Sequence, residues 1–150
     1  MTEVLADDHV FAGLKKNYYR CISIDAPHRF VAGTSSRPQH YKRMEDVDIA
    51  ALPVEDLIHP DGAWLFFWII SSKMYAPPKS KTRLSPQQIA ARWGFQWSSR
   101  AFLWVKLHKR LGDEPEIFLD RGSFHSGLGL TTIKNAEDCL LFRRGKVPRR

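Results

Sequence analysis

The chain has 150 residues, 43% of them hydrophobic and 12% aromatic, enough apolar material for one core and incompatible with a disordered chain. Its net charge of +7 points to an anionic partner, nucleic acid foremost, although a solvated basic tail would give the same total. The longest apolar run, Ala63 to Ile70, has eight residues, against the roughly twenty of a membrane helix, and the scattered His and Cys lack metal-ligand spacing, so neither a membrane nor a metal is expected.

Met1 to Asp8 is acidic and lacks an apolar centre, so no signal peptide is expected. Cys21 and Cys139 both lie in apolar runs and read as small core residues of a reduced, intracellular, cytoplasmic protein, nucleoid-associated if bacterial. The first strand is predicted at about Arg20 to Ile24. A loop follows over Val31 to Gln39, then a short helix from about Asp46 to Leu52, bounded by Pro53. A second strand is predicted over Ala63 to Ile70. The loop Lys73 to Leu84, with Pro77-Pro78 and the cations Lys73, Lys79, Lys81 and Arg83, reads first as a solvated insertion.

Ser85-Pro86-Gln87-Gln88 carries the signals of a helix start: a capping Ser, Pro at the first helical position and Gln at the third. Gly94 is a natural stop, giving a helix of about nine residues. Further strands are expected at Ala101 to Leu107 and Cys139 to Phe142, separated by the long, mixed-charge loop His108 to Ser126. The second and third strands are almost continuously apolar, the pattern of strands covered on both faces of a parallel or mixed sheet. The expected fold is therefore a single α/β domain. Five cations, Arg143, Arg144, Lys146, Arg149 and Arg150, crowd the last ten residues.

Asp25-Ala26-Pro27-His28 follows the first strand directly. Open α/β sheets place their chemistry at such carboxyl ends. A carboxylate and a turn carbonyl there can accept hydrogens from an amino group while a ring stacks on a flat base; an ordinary strand end with a Pro turn has the same sequence.

Read together, these segments resemble the MT-A-seventy-type adenine N-6 methyltransferases of phages, bacteria and eukaryotes. Tyr19 to Phe30 is similar to a strand ending in that family's Asp-Pro-Pro-Trp signature. His40-Tyr41 and Met44 to Val54 resemble its His-Tyr-x-x-Met and short-helix block, and Ala63 to Ile70 its Leu-Phe-Leu-Trp-Val strand. Trp93-Gly94-Phe95 and Phe102 to Lys106 resemble its Trp-Gly-Phe and Trp-Val-Lys pieces. Gly127-Leu128-Gly129, Asn135, Glu137, Cys139-Leu140-Leu141 and Arg144-Gly145 follow its Gly-x-Gly to Arg-Gly block.

The resemblance spans about Tyr19 to Arg144, leaving 145–150 as a basic tail, and implies a Rossmann-like, permuted class I methyltransferase sheet with flanking helices. It implies S-adenosyl-L-methionine as methyl donor and the exocyclic amino group of adenine in nucleic acid as acceptor, with DNA favoured over RNA. Asp25, Pro27 and His28 take the catalytic positions, His28 that of the stacking ring, and Asp25 also faces the cofactor. His40, Tyr41, Lys106, Asn135, Glu137, Arg143 and Arg144 become the candidates for nucleic-acid contact; Asn135 and Glu137 equally suit a helix cap and a surface.

The chain departs from the family in three places. Asp-Pro-Pro-Trp is here Asp-Ala-Pro-His. Leu130, Thr131 and Ile133 stand where the family has an aromatic, a Trp and an Arg. The family's later Lys-Pro-Asp-Glu helix and Asn-containing turn, which carry most of its cofactor-binding residues, have no counterpart. The expectation is a sheet incomplete at its C-terminal end, with the Asp25 strand as an exposed edge. The alternative function is a catalytically degenerate subunit that binds nucleic acid or scaffolds an active partner, as a methyltransferase pair or a homo-oligomer.

Overall fold

The computed structural model describes residues 3–29, 42–76, 80–107, 127–128, 133–134 and 136–147. The expected strands all form: β1 (Cys21–Asp25), β2 (Gly62–Ile69), β3 (Gln96–Val105) and, after the two-residue strands β4 (Gly127–Leu128) and β5 (Ile133–Lys134), β6 (Ala136–Gly145). One four-stranded sheet runs in the order β1-β2-β6-β3, while β4 and β5 pair with each other. β1 and β2 are parallel; β6 is antiparallel to both β2 and β3. The result is a mixed α/β fold.

A parallel pair needs a crossover rather than a tight turn. Here it contains α1 (Asp46–Ala50) and a 3-10 turn at Val54–Leu57. α1 stops two residues short of the expected end, and Ala51 and Leu52 form a turn before Pro53. The second helix, α2 (Pro86–Arg92), starts as its sequence dictates. Ser85 Oγ accepts from the Gln88 N–H at 3.3 Å, and Gln88 Oε1 accepts from the Ser85 N–H at 2.8 Å. Gly94, at φ +79°, follows the helix in the left-handed conformation that ends it.

The core lies on one face of the sheet. Ala63, Leu65, Phe67 and Ile69 of β2, with Leu140 and Phe142 of β6, pack against Ile49 and Ala50 of α1, Ile89 and Ala90 of α2, and Trp93. Period-2 alternation sends Trp64, Phe66 and Trp68 to the other face. There Phe66 stacks on Phe102, centroids 5.9 Å apart, and Trp68 meets Trp104 edge-on at 6.3 Å.

Three expectations are corrected. β3 is not covered on both faces: it is an edge strand, and Phe102, Leu103 and Trp104 are each at least half exposed. Register shifts at Trp97/Ser99 and Arg100/Phe102 interrupt its pairing, as bulges do on edge strands. Cys21 is exposed, because β1 is the opposite edge; Cys139 is buried, which raises its thiol pKa. Lys73, read as a solvated loop cation, is buried in a 3-10 turn directly after β2. The loops Val31 to Gln39 and His108 to Ser126 lie outside the described residues.

Candidate functional site

β1 ends at Asp25, in register with Trp68 of β2. Pro27 fixes the backbone that follows, and the His28 N–H donates to Ala26 O at 2.8 Å, closing a three-residue turn around it. The Met44 N–H then donates to Pro27 O, and the Arg29 N–H to Met44 O, both at 2.8 Å. Both turn carbonyls therefore already accept a backbone N–H. The same bonds fix His28 beside the segment that enters α1.

This placement brings His28 to Asp46, the first residue of α1. The His28 Nδ1–Asp46 Oδ1 distance is 2.8 Å, and both residues are buried. A carboxylate only accepts, so Nδ1 carries the proton of this bond. Lys73 Nζ reaches both Asp46 oxygens, at 3.0 and 3.1 Å, and the Leu84 N–H adds a bond of 3.2 Å. Burial alone pushes the Asp46 carboxyl up. The bonds from His28 and Lys73, the Lys73 charge and the Leu84 N–H outweigh burial and hold it below the usual carboxylate range. The His28 ring stacks on Phe67 with centroids 5.8 Å apart and planes 27° apart. Its Nε2 is buried without a hydrogen-bond partner among the described residues.

A pocket of about 160 Å³ opens where β1 and β2 end and β6 begins. Asp25, Ala26, His28, Trp68, Ile69, Ile70 and Glu137 line it. Pockets that enclose a drug-sized ligand measure about 300–1,000 Å³, so this one has room for a single flat ring system or a comparable group. Asp25 is exposed, and among the described residues nothing engages its carboxylate. Glu137 is ion-paired to Lys106, whose Nζ also lies 5.0 Å from the centre of the Trp104 ring.

Of the residues the sequence singles out, Asp25, His28 and Glu137 meet at this pocket, Pro27 shapes its turn, and Lys106 joins it through Glu137. Arg143 lies elsewhere: it is in register with Trp64, four residues from Trp68 along β2, about 13 Å at the strand rise. Arg144 Nη1 donates to Trp93 O at 3.0 Å, so its guanidinium ties β6 to the end of α2. His40, Tyr41, Asn135 and Gly129 lie outside the described residues. Sequence reasoning missed Trp68, Asp46 and Lys73. Trp68 is signalled by parallel register with Asp25. An Asp at a helix start and a Lys directly after an apolar strand are visible in the sequence, but nothing local pairs them.

Among the described residues no cluster of three or more His, Cys, Asp or Glu is placed to hold a metal, and no helix is long and apolar enough to cross a membrane. No protein-family model matches the chain, and comparison with curated proteins gives no match.

Proposed function

We propose that the Asp25 pocket binds an adenine base of nucleic acid, DNA in preference to RNA, and methylates its exocyclic amino group. One observation carries this reading: an exposed carboxylate, unpaired among the described residues, at the carboxyl end of a parallel strand and at the mouth of a pocket with an aromatic neighbour in Trp68. The adenine amino group is a poor nucleophile because its lone pair is delocalised into the ring. A carboxylate accepting one of its N–H bonds favours the positive charge that develops on nitrogen as the new N–C bond forms. The same carboxylate would take the proton the nitrogen then sheds. In duplex DNA the base would have to leave the stack to reach it.

S-adenosyl-L-methionine would supply an electrophilic methyl group on a sulfonium, whose S–C bond to that methyl would break as N–C forms, leaving a neutral thioether. The residues present suit that cationic end: the Asp25 carboxylate and the Trp68 ring both favour a positive charge. The small pocket offers no room for the donor's nucleoside as well. The Rossmann-like methyltransferase architecture belongs to the same proposal, resting on the resemblance and on the parallel β1–β2 pair with its helical crossover.

A second reading, a nucleic-acid-binding or scaffolding subunit of an active partner, is favoured by the burial of His28 against Phe67 and by exposed Phe102 and Trp104, ready-made stacking surfaces. Titration calorimetry of the folded chain with S-adenosyl-L-methionine separates the two. Micromolar binding supports the enzyme; no binding by folded chain overturns the enzyme as a self-sufficient unit and leaves the subunit.

A further inference from the structure

Both helices pack on one face of the sheet, against the inward residues of β2 and β6. Among the described residues no helix packs on the other face, yet strand alternation fills it with rings. Register sets their order. Asp25 stands beside Trp68, Phe66 beside Leu141, and Trp64 beside Arg143. Phe102 and Trp104 of β3 continue the face past β6, and they are 56% and 54% exposed. A contiguous aromatic patch on an open sheet face marks an interaction site.

The charges on this face run along the strands. Lys106 is paired with Glu137, so the two cancel. Arg143 has no carboxylate partner among the described residues, and it lies beside Trp64, about 13 Å along β2 from Trp68 and the Asp25 carboxylate. A ligand that fits must bring flat rings for the middle and a negative charge for the Arg143 end.

We propose that this open face binds single-stranded nucleic acid, with two or three bases stacked on Trp64, Trp68 and Trp104 and a phosphate on Arg143. The proposal rests on the nucleic-acid reading above, and not on methyl transfer. Base π-faces are hidden inside a duplex, whereas an unpaired strand offers one at every nucleotide. A four-stranded sheet with helices behind it and aromatic side chains in front is a geometry that stacks two or three bases. The net charge of +7 favours a polyanion. The face also leads to the chemistry: Trp68 belongs both to it and to the Asp25 pocket, so a strand lying along β2 reaches the carboxylate with its bases already unpaired.

The five tryptophans supply the test. Trp64, Trp68 and Trp104 lie on the open face, Trp93 is in the core, and Trp97 sits on β3 with its ring edge-on to inward-facing Phe142. The indole N–H resonances of the full chain are followed by NMR as single-stranded oligodeoxyadenylate is added, then a hairpin-closed A·T duplex. The three face indoles should shift with the single strand while Trp93 and Trp97 stay still, and the duplex should bind at least about tenfold more weakly. Trp104→Ala should weaken single-strand binding by about tenfold and Trp104→Phe should restore most of it, whereas Trp97→Ala should leave it unchanged. Arg143→Gln should lower the slope of log affinity against log salt by about 0.7. Binding that leaves the face indoles unmoved overturns the proposal, and so does equal affinity for the duplex. Face indoles that shift with protein concentration alone, and not with oligonucleotide, assign the face to a second copy of the chain and also overturn it. Face shifts without methyl transfer to the same oligonucleotide support the surface and sink the methylation reading. Methyl transfer with unmoved face indoles does the reverse.

Discussion

Lys73 Nζ lies 3.0 and 3.1 Å from the two carboxylate oxygens of Asp46, and both side chains are buried. Removing one partner of such a pair strands a charge away from water, at a cost of about 3–5 kcal/mol. Lys73→Met and Asp46→Asn are each expected to lower stability by that order in urea denaturation. Unchanged midpoints in both would contradict the burial of this pair.

The same pair sets a pH dependence. The Asp46 pKa is lowered in the folded chain. Its contribution to stability is therefore fully present above the unfolded carboxyl value, about 3.9, and is lost as pH falls through the lower folded value. Wild-type stability should fall between about pH 5 and the acid limit more steeply than that of Asp46→Asn. Parallel pH profiles for the two proteins would count against it.

β2 and β6 begin and end on a pair of glycines. Gly62 (φ +132°) and Gly145 (φ +66°) are register partners, and a Cβ on either would collide with backbone, that of Arg144 or Asp61 respectively. Gly62→Ala and Gly145→Ala are each expected to cost more than the roughly 1 kcal/mol of an ordinary glycine in the left-handed region. Thermal melts read this directly; wild-type midpoints would mean that the two strands do not close at these residues.

Much of this architecture is legible in the sequence, because it is local. The Ser85–Gln88 capping box and the Gly94 stop depend on residues within one helix, and the four strands on runs of apolar side chains. What the sequence does not carry is neighbourhood. Ala101 to Leu107 is apolar enough for a central strand yet lies at the edge, since pairing partners decide coverage. Cys21 is exposed for the same reason. Lys73 is buried because of Asp46, 27 residues earlier, and no pattern in its own loop announces that partner. For the site, Asp25 is visible at the end of an apolar strand and Glu137 only through the resemblance, whereas the tie between His28 and Asp46 needs the Met44 bridge that brings them together.

If the chain binds nucleic acid as proposed, that binding should be electrostatic in origin and fall with salt. Arg144 is tied to Trp93 O, so the informative variant neutralises Arg143, Lys146, Arg149 and Arg150 and leaves Arg144 in place. The slope of log affinity against log salt should shrink by roughly one for each phosphate that is no longer neutralised. A slope identical to wild type would mean that other cations carry the binding.

If the carboxylate of Asp25 serves transfer of a methyl group to adenine, the product itself reports it. The decisive assay incubates the chain with adenine-containing DNA and S-adenosyl-L-methionine labelled in the methyl group, beside Asp25→Asn. Labelled N-6-methyladenine should form with the wild type and not with the variant. Folded wild-type protein that transfers no more label than Asp25→Asn would refute the assignment.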